Sequence, residues 1–344
     1  MNALLKEVDL RKSYLNTETV NTIYFGGGTP SLLSADEINK IIEYLRANFK
    51  IDKDVEITLE ANPDDLDKAT LNNIKQSTAI NRLSIGIQSF FDDDLKYLNR
   101  VHNGKNAIDA IENSIHAGFE NLTIDLIYGT PGLTNEKWKE NLKIFFDFKI
   151  KHLSSYSLTV EPKTALKTLI NKHKLPNVNE DESIIHFKIL MEEANKQGFV
   201  HYEISNFAKQ GYFSKHNSIY WLGGHYIGFG PSAHSFNGKS RQWNISNMKQ
   251  YIESETVENI ILEKEQLSIN QQYNEYVMTS LRTSWGCNTI HIENIFGAKY
   301  VNLFTNSAKE FITQNSINKN GSIYCLTDRG KLFADGIASE FFVF

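Results

Sequence analysis

Between Thr22 and Ile204, short apolar runs and amphipathic helical stretches alternate at least five times. A parallel sheet with helical crossovers is the arrangement that satisfies such an alternation. The apolar runs are Ile23–Phe25, Val55–Leu59, Arg82–Ile87, Leu122–Ile127 and Leu153–Leu158, with a sixth at Val200–Ile204. Helical spacing follows: Ile38, Ile41, Ile42 and Leu45 behind Ser34 and Glu37, a cap-like pair. It recurs through Leu66, Leu71 and Ile74, and over 92–99, 104–117, 135–148 and 180–197. Nearly continuous apolar strands imply a sheet covered on both faces. The expected fold is therefore α/β, a full or partial (β/α) barrel, with an open doubly wound sheet as the alternative. Either architecture places ligands at the C-terminal ends of the strands.

Polar residues interrupt the apolar pattern at those ends. Gly27, Gly28 and Thr29 follow the first run, Glu60 the second and Gln88 the third; Asp125 stands late in the fourth, and Thr159 follows the fifth. Consecutive glycines permit positive φ and close approach to the main chain. The loop is neither G-x-G-x-x-G nor a Walker loop, and a glycine turn after a strand is usually only a turn. A single Glu or Gln at a strand end is usually a cap or a solvated residue. Five such positions in succession converge on one mouth and favour a polar ligand. The acceptors Glu60 and Asp125, the amide of Gln88 and the cation of Arg100 would suit an amine, a ribose and a carboxylate, hence a zwitterionic nucleoside.

A net charge of −5 argues against a nucleic-acid partner. No apolar run reaches the roughly 20 residues that span a bilayer, and residues 2–15 read as an amphipathic helix rather than a signal peptide, so a cytoplasmic protein is expected. The cysteines, Cys287 and Cys325, are too few for a disulfide framework or a four-thiolate zinc site.

Farther along, KHNSIYW (215–221) and LGGHYIGFGPSAHSF combine aromatic residues, glycines and the histidines His216, His225 and His234. Such a surface suits a flat hydrophobic ligand, although a histidine in such a setting is usually structural. From Leu267 the pattern changes to helices at Tyr273–Leu281, Ile290–Phe296 and Asn302–Thr313, a strand at Ser322–Leu326, and a terminal helix capped by Thr327. The expected division is a barrel over 1–236, a connecting segment over 237–265, and a smaller α+β, winged-helix-like domain over 266–344. A lid or docking role suits that last domain better than DNA binding.

GGGTPS, the LEANP stretch, RLSIGIQSF followed by LNRVH, and NLTIDLIYGTPG resemble the S-adenosylmethionine-binding barrel of radical-SAM proteins. Within that superfamily they resemble the branch holding oxygen-independent coproporphyrinogen III oxidase and the HemW haem chaperones. The resemblance implies that Gly27, Gly28 and Thr29 hold the amino and carboxylate end of S-adenosylmethionine, and that Glu60, Gln88, Arg100 and Asp125 are further cofactor contacts. HNSIYW matches the H-N-x-x-Y-W signature of the chaperone branch and makes His216 the haem-related residue, with His225 and His234 left as structure. Haem delivery to an acceptor protein of open identity, which could be membrane-associated, is the implied function; the alternative is a radical-SAM porphyrinogen decarboxylase. The family's C-x-x-x-C-x-x-C cluster motif and the barrel strand before it have no counterpart here. No metal ligand or catalytic residue is therefore expected, and a [4Fe-4S] cluster belongs to the full-length family only. Either a start codon has been placed too far downstream or the barrel is degenerate; the helix at 2–15 without a preceding strand favours the first.

Overall fold

A computed structural model describes residues 1–15 and 19–344. After α1 (Asn2–Arg11), seven strands form one curled, half-barrel sheet: β1 (Val20–Phe25), β2 (Ile51–Ala61), β3 (Arg82–Gln88), β4 (Leu122–Tyr128), β5 (His152–Ser157), β6 (Val200–Glu203) and β7 (Asn206–Ala208), in the order β1-β2-β3-β4-β5-β7-β6. The crossovers are α2 (Ala35–Asn48), α3 (Lys68–Ser77), the pair α4 (Asp92–Tyr97) and α5 (Gly104–His116), α6 (Asn135–Asp147), and α7 (Ala165–Asn171) with α8 (Glu180–Lys196). The partial (β/α) barrel expected from the alternation is thus present, and β2 through β5 are parallel.

The sixth run keeps the direction of β5 but does not pair with it directly, because β7 lies between them. Val200–Glu203 turns straight back into β7, which pairs antiparallel with both β6 and β5. The Glu203 carboxylate fixes the turn by accepting from the backbone N–H of Ser205 (3.0 Å) and from Asn206 Nδ2 (2.5 Å).

The strands are also less uniformly apolar than the sequence suggested. Residues alternate across a strand with a period of two. In β3 this places Arg82, Ser84, Gly86 and Gln88 on one face and Leu83, Ile85 and Ile87 on the other. In β4, Thr123 and Asp125 oppose Leu122, Ile124 and Leu126. The aliphatic set is fully buried, with the crossover helices locked beside it: Trp138 of α6 donates from Nε1 to the His186 carbonyl of α8 (2.9 Å), and Tyr128 stacks on Phe187 at 5.9 Å and 13°. The polar set lines the other face.

The chain divides into two compact units, one of Tyr24–Ala35 and Ile57–Phe213, the other of Met1–Ile23, Asp36–Glu56 and Ser214–Phe344. The first holds most of the sheet. The second continues through α9 (Lys215–Trp221), β8 (His234–Phe236), β9 (Ser240–Asn244), α10 (Met248–Glu253), α11 (Val257–Ile260) and β10 (Ile261–Gln266), whose strands make an antiparallel sheet in the order β10-β9-β8. It ends with α12 (Ile269–Leu281), β11 (Cys287–Asn288), α13 (Thr289–Phe296), α14 (Ala298–Thr313), β12 (Ile317–Asn320), β13 (Ile323–Leu326), α15 (Asp328–Lys331) and α16 (Ala334–Ser339). Thr327 caps α15 as expected, accepting from Gly330 N–H at 3.1 Å. The terminal helix breaks at Phe333, whose φ and ψ of −128° and 28° are not helical. Among the described residues no helix is long and apolar enough to cross a membrane.

Candidate functional site

Glu60 is the hinge of the first site. It stands inside β2, one residue before the strand ends, and its carboxylate accepts from the Tyr24 hydroxyl (2.6 Å) and from the Gly27 backbone N–H (3.1 Å). Gly27 and Gly28 have φ of 73° and 61°, a region L-residues avoid, and no heavy atom lies within 4 Å of where a Cβ would stand on either. The glycine loop therefore lies open above the strand ends, with one amide turned to an anionic oxygen. Thr29, half-buried, directly precedes the turn at Pro30–Leu32.

Two strands away, Asp125 pairs in register with Ser154 of β5, and Ser84 donates to its Oδ2 at 3.4 Å. Ser154 passes the chain on by donating to Asn206 Oδ1 (3.0 Å). Burial pushes the Asp125 carboxyl up to about 7; the Glu60 charge pushes the same way, while the Ser154 and Ser84 hydroxyls and the Arg82 guanidinium oppose it. Burial also raises Tyr24 and Tyr156 above the ordinary phenol range, aided by Glu60 for the first and Asp125 for the second. One layer below, Arg82 is fully buried, donating to Asn121 Oδ1 (2.6 Å) and to the Thr123 hydroxyl; His152 lies against that hydroxyl and the Tyr202 hydroxyl (3.1 and 2.8 Å) and is kept neutral by burial.

Gln88 ends β3 with φ of 66°, a left-handed conformation that costs a non-glycine residue about 1 kcal/mol. A side chain on Gly86 would come within 2.9 Å of the Gln88 amide nitrogen, so Gly86 is what allows that amide to lie over the strand. Arg100 is exposed, and its guanidinium feels the charges of Asp125 and Asp64. Gly27 is bonded to Glu60, whose charge acts on Asp125, and the Asp125 charge acts in turn on Arg100, while Thr159 is exposed and donates to the Ser157 carbonyl (3.5 Å). Tyr24, Ser84, Ser154 and Asn206 were not singled out from sequence. Ser84 shares the face of Gln88 on β3, and Ser154 reaches Asp125 only through the register of β5 on β4.

The second site is on α9, in the other unit. Ser214 caps the helix by accepting from Asn217 N–H (3.2 Å), and the buried Glu56 carboxylate accepts from Lys215 N–H (3.3 Å) and His216 N–H (3.0 Å). His216 places Nδ1 2.9 Å from Thr22 Oγ1 and Nε2 2.9 Å from the Tyr220 hydroxyl. Beyond them, Tyr220 meets Tyr226 edge to face at 4.7 Å, and Trp221 lies under the Arg282 guanidinium at 5.1 Å. His225 and His234 pack instead against Phe236 and Trp243.

The two cysteines are apart from both sites. Cys287 is buried, and burial raises its thiol; Cys325 donates to the Ser284 carbonyl. Among the described residues there is no group of three or more His, Cys, Asp or Glu side chains that could hold a metal ion.

Residues 4–145 match the radical SAM superfamily and residues 267–333 the HemN C-terminal domain. The protein named heme chaperone HemW from Bacillus subtilis (strain 168) is 33% identical over 349 residues, covering 99% of this chain and 90% of that one. The chain belongs to the HemW family. HemW proteins of Lactococcus lactis (33% identical, 94% of this chain and 85% of that one) and Mycobacterium tuberculosis (30%, 97% and 84%) are similar over comparable lengths. In fold, the chain resembles coproporphyrinogen III oxidase (HemN) from Escherichia coli, titled a radical SAM enzyme, with a TM-score of 0.83 at 22% identity over 99% of this chain and 82% of that one. Most of the half-barrel thus falls within the radical SAM match, and the helices and ribbon after Leu267 fall largely within the HemN C-terminal domain match.

Proposed function

We propose that this chain is a haem chaperone, capturing haem at α9 and delivering it to an acceptor protein, with S-adenosylmethionine bound at the strand ends of the half-barrel. The observation that carries the haem reading is the α9 face, where His216 and Tyr220 form a polar pair bordered by Tyr226 and a half-buried Trp221. An exposed aromatic surface around an iron-binding side chain is what a porphyrin requires. Family membership at 33% identity over nearly the whole chain supports it independently.

The residues present fit S-adenosylmethionine. Glu60 and Asp125 offer two acceptors to an ammonium group and ribose hydroxyls, the Gly27–Gly28 backbone offers donors without a Cβ in the way, and Gln88 and Arg100 add an amide and a cation for the carboxylate. When bound, that group brings a sulfonium and a zwitterionic head to the site. Glu60 orients it through Tyr24 and Gly27, and the layer of Ser84, Ser154 and Asn206 holds Asp125 in place.

Titration of ferric haemin into the purified chain, followed at the Soret band, tests the haem reading. Saturation near one haem per chain, with weaker binding and an altered spectrum for His216→Ala, is expected. Binding that never saturates, or a variant indistinguishable from wild type, would refute haem capture at α9.

A further inference from the structure

His216 and Tyr220 stand one helical turn apart, which places their side chains on the same face of α9. The Tyr220 hydroxyl is 2.9 Å from His216 Nε2, and the two rings meet at 87° with centroids 5.1 Å apart. The other imidazole nitrogen is 2.9 Å from Thr22 Oγ1. Both ring nitrogens are therefore engaged before any ligand arrives. To bind iron through Nε2 the imidazole would have to give up Tyr220; to bind through Nδ1 it would give up Thr22. The phenolic oxygen can bind iron while it stays hydrogen-bonded to His216 Nε2. It is the more exposed of the two groups, and only its proton has to leave.

We propose that the iron ligand of this site is Tyr220, bound as its phenolate, with His216 as the hydrogen-bonded residue that accepts its proton. The inference deepens the haem reading above and rests on it. In the step, the Tyr220 O–H bond breaks, its proton passes to His216 Nε2, and the oxygen lone pair forms the bond to ferric iron in place of a solvent ligand. The iron stays ferric throughout, so no oxidant or reductant is required.

The resulting imidazolium carries a proton on each nitrogen. It donates from Nε2 to the phenolate and from Nδ1 to Thr22 Oγ1, so both hydrogen bonds of the ligand-free protein survive, and the one to the phenolate becomes charge-assisted. The surroundings favour that state. Glu56, buried and accepting from the His216 backbone N–H at 3.0 Å, puts a negative charge beside the residue that becomes positive. Tyr226 meets the Tyr220 ring edge to face at 4.7 Å and 73°, and itself borders Phe236 at 6.1 Å, which restrains the phenol ring. Phenolate ligation of haem iron with a protein tyrosine has precedent in catalases.

The test is the spectrum of the full chain with ferric haemin. A phenolate-to-iron charge-transfer band and phenolate ring modes in resonance Raman are expected for wild type. Tyr220→Phe, which keeps the ring and its packing, should lose both and bind about tenfold more weakly. His216→Gln should keep the phenolate modes, shifted in frequency, with an affinity loss of a few fold. A wild-type spectrum without phenolate modes, or a Tyr220→Phe spectrum identical to wild type, would overturn the assignment while leaving haem capture standing. Failure of wild type to saturate with haemin removes both.

Discussion

Asp125 shows how the lining of the half-barrel sets the chemistry of one group. Burial dominates, Glu60 adds to it, and the hydroxyls of Ser154 and Ser84 with the Arg82 guanidinium recover only part of the loss, so the carboxyl stands near 7 instead of 3.8. An acid whose native pKa is raised holds more protons folded than unfolded between those two values. Stability therefore falls as pH rises from about 4 to about 7 and is level above. Asp125→Asn should remove that slope and raise stability at pH 8 relative to pH 4 by on the order of 4 kcal/mol against wild type. Denaturation midpoints across pH measure it; an equal effect at both ends would show that Asp125 does not titrate in this window. Glu60 makes the complementary point, because its two oxygens are divided between Tyr24 and Gly27. Glu60→Gln presents an N–H₂ group where one of those donors needs an acceptor. Equilibrium dialysis should show at least roughly tenfold weaker binding of S-adenosylmethionine, and unchanged binding would remove Glu60 from that site.

At the scale of the element, α9 is seven residues long, too short to be stable by itself. Its first turn is held by Ser214 and by Glu56, which reaches it from β2. Glu56→Ala should cost about 1–2 kcal/mol of stability and broaden the Soret band of bound haem, as chemical denaturation and absorbance together would reveal; a stable variant with a wild-type spectrum would show that the cap is dispensable. The same helix marks the limit of what the sequence revealed. His216 and Tyr220 were readable as a chemical motif, but about two turns are too short for helical periodicity to declare itself. Glu60 and Asp125 were readable because charge is rare inside an apolar strand. Ser84, Gly86 and Ser154 were not, because small polar residues break an apolar run without announcing which face they occupy. The β6–β7 hairpin was missed for another reason. Its direction is set by Glu203 bonding to Ser205 and Asn206, a tertiary fact with no periodic signature.

At the scale of the molecule, the unit that carries α9 is assembled from three stretches of chain, and one buried ion pair ties the first to the last. Glu7 and Arg11, one turn apart on α1, are both buried and bond at 2.5 Å. Glu7 also accepts from Gly230 N–H (2.8 Å), Asn244 Nδ2 (2.7 Å) and the Tyr251 hydroxyl (2.6 Å), while Arg11 donates to the Gly228 carbonyl (3.0 Å), Ser235 Oγ (2.7 Å) and Asn244 Oδ1 (3.1 Å). Neither charge is worth much as half of a pair, since desolvation offsets most of the attraction, but each is costly alone. Arg11→Met leaves the Glu7 carboxylate facing three neutral donors and should cost about 3–5 kcal/mol. Glu7→Gln together with Arg11→Met removes both charges while keeping an acceptor for Gly230 or Tyr251, and should recover a substantial part of that loss. Denaturant midpoints of the two variants decide the matter. If the double variant is as unstable as Arg11→Met, the cost lies in lost packing of α1 against β8 and β9. If it recovers, the ion pair acts as a register device, specifying that α1 and no other polar surface closes this unit, and Arg11→Met should then also lift hydrogen-exchange protection from β9, more than 200 residues away in sequence.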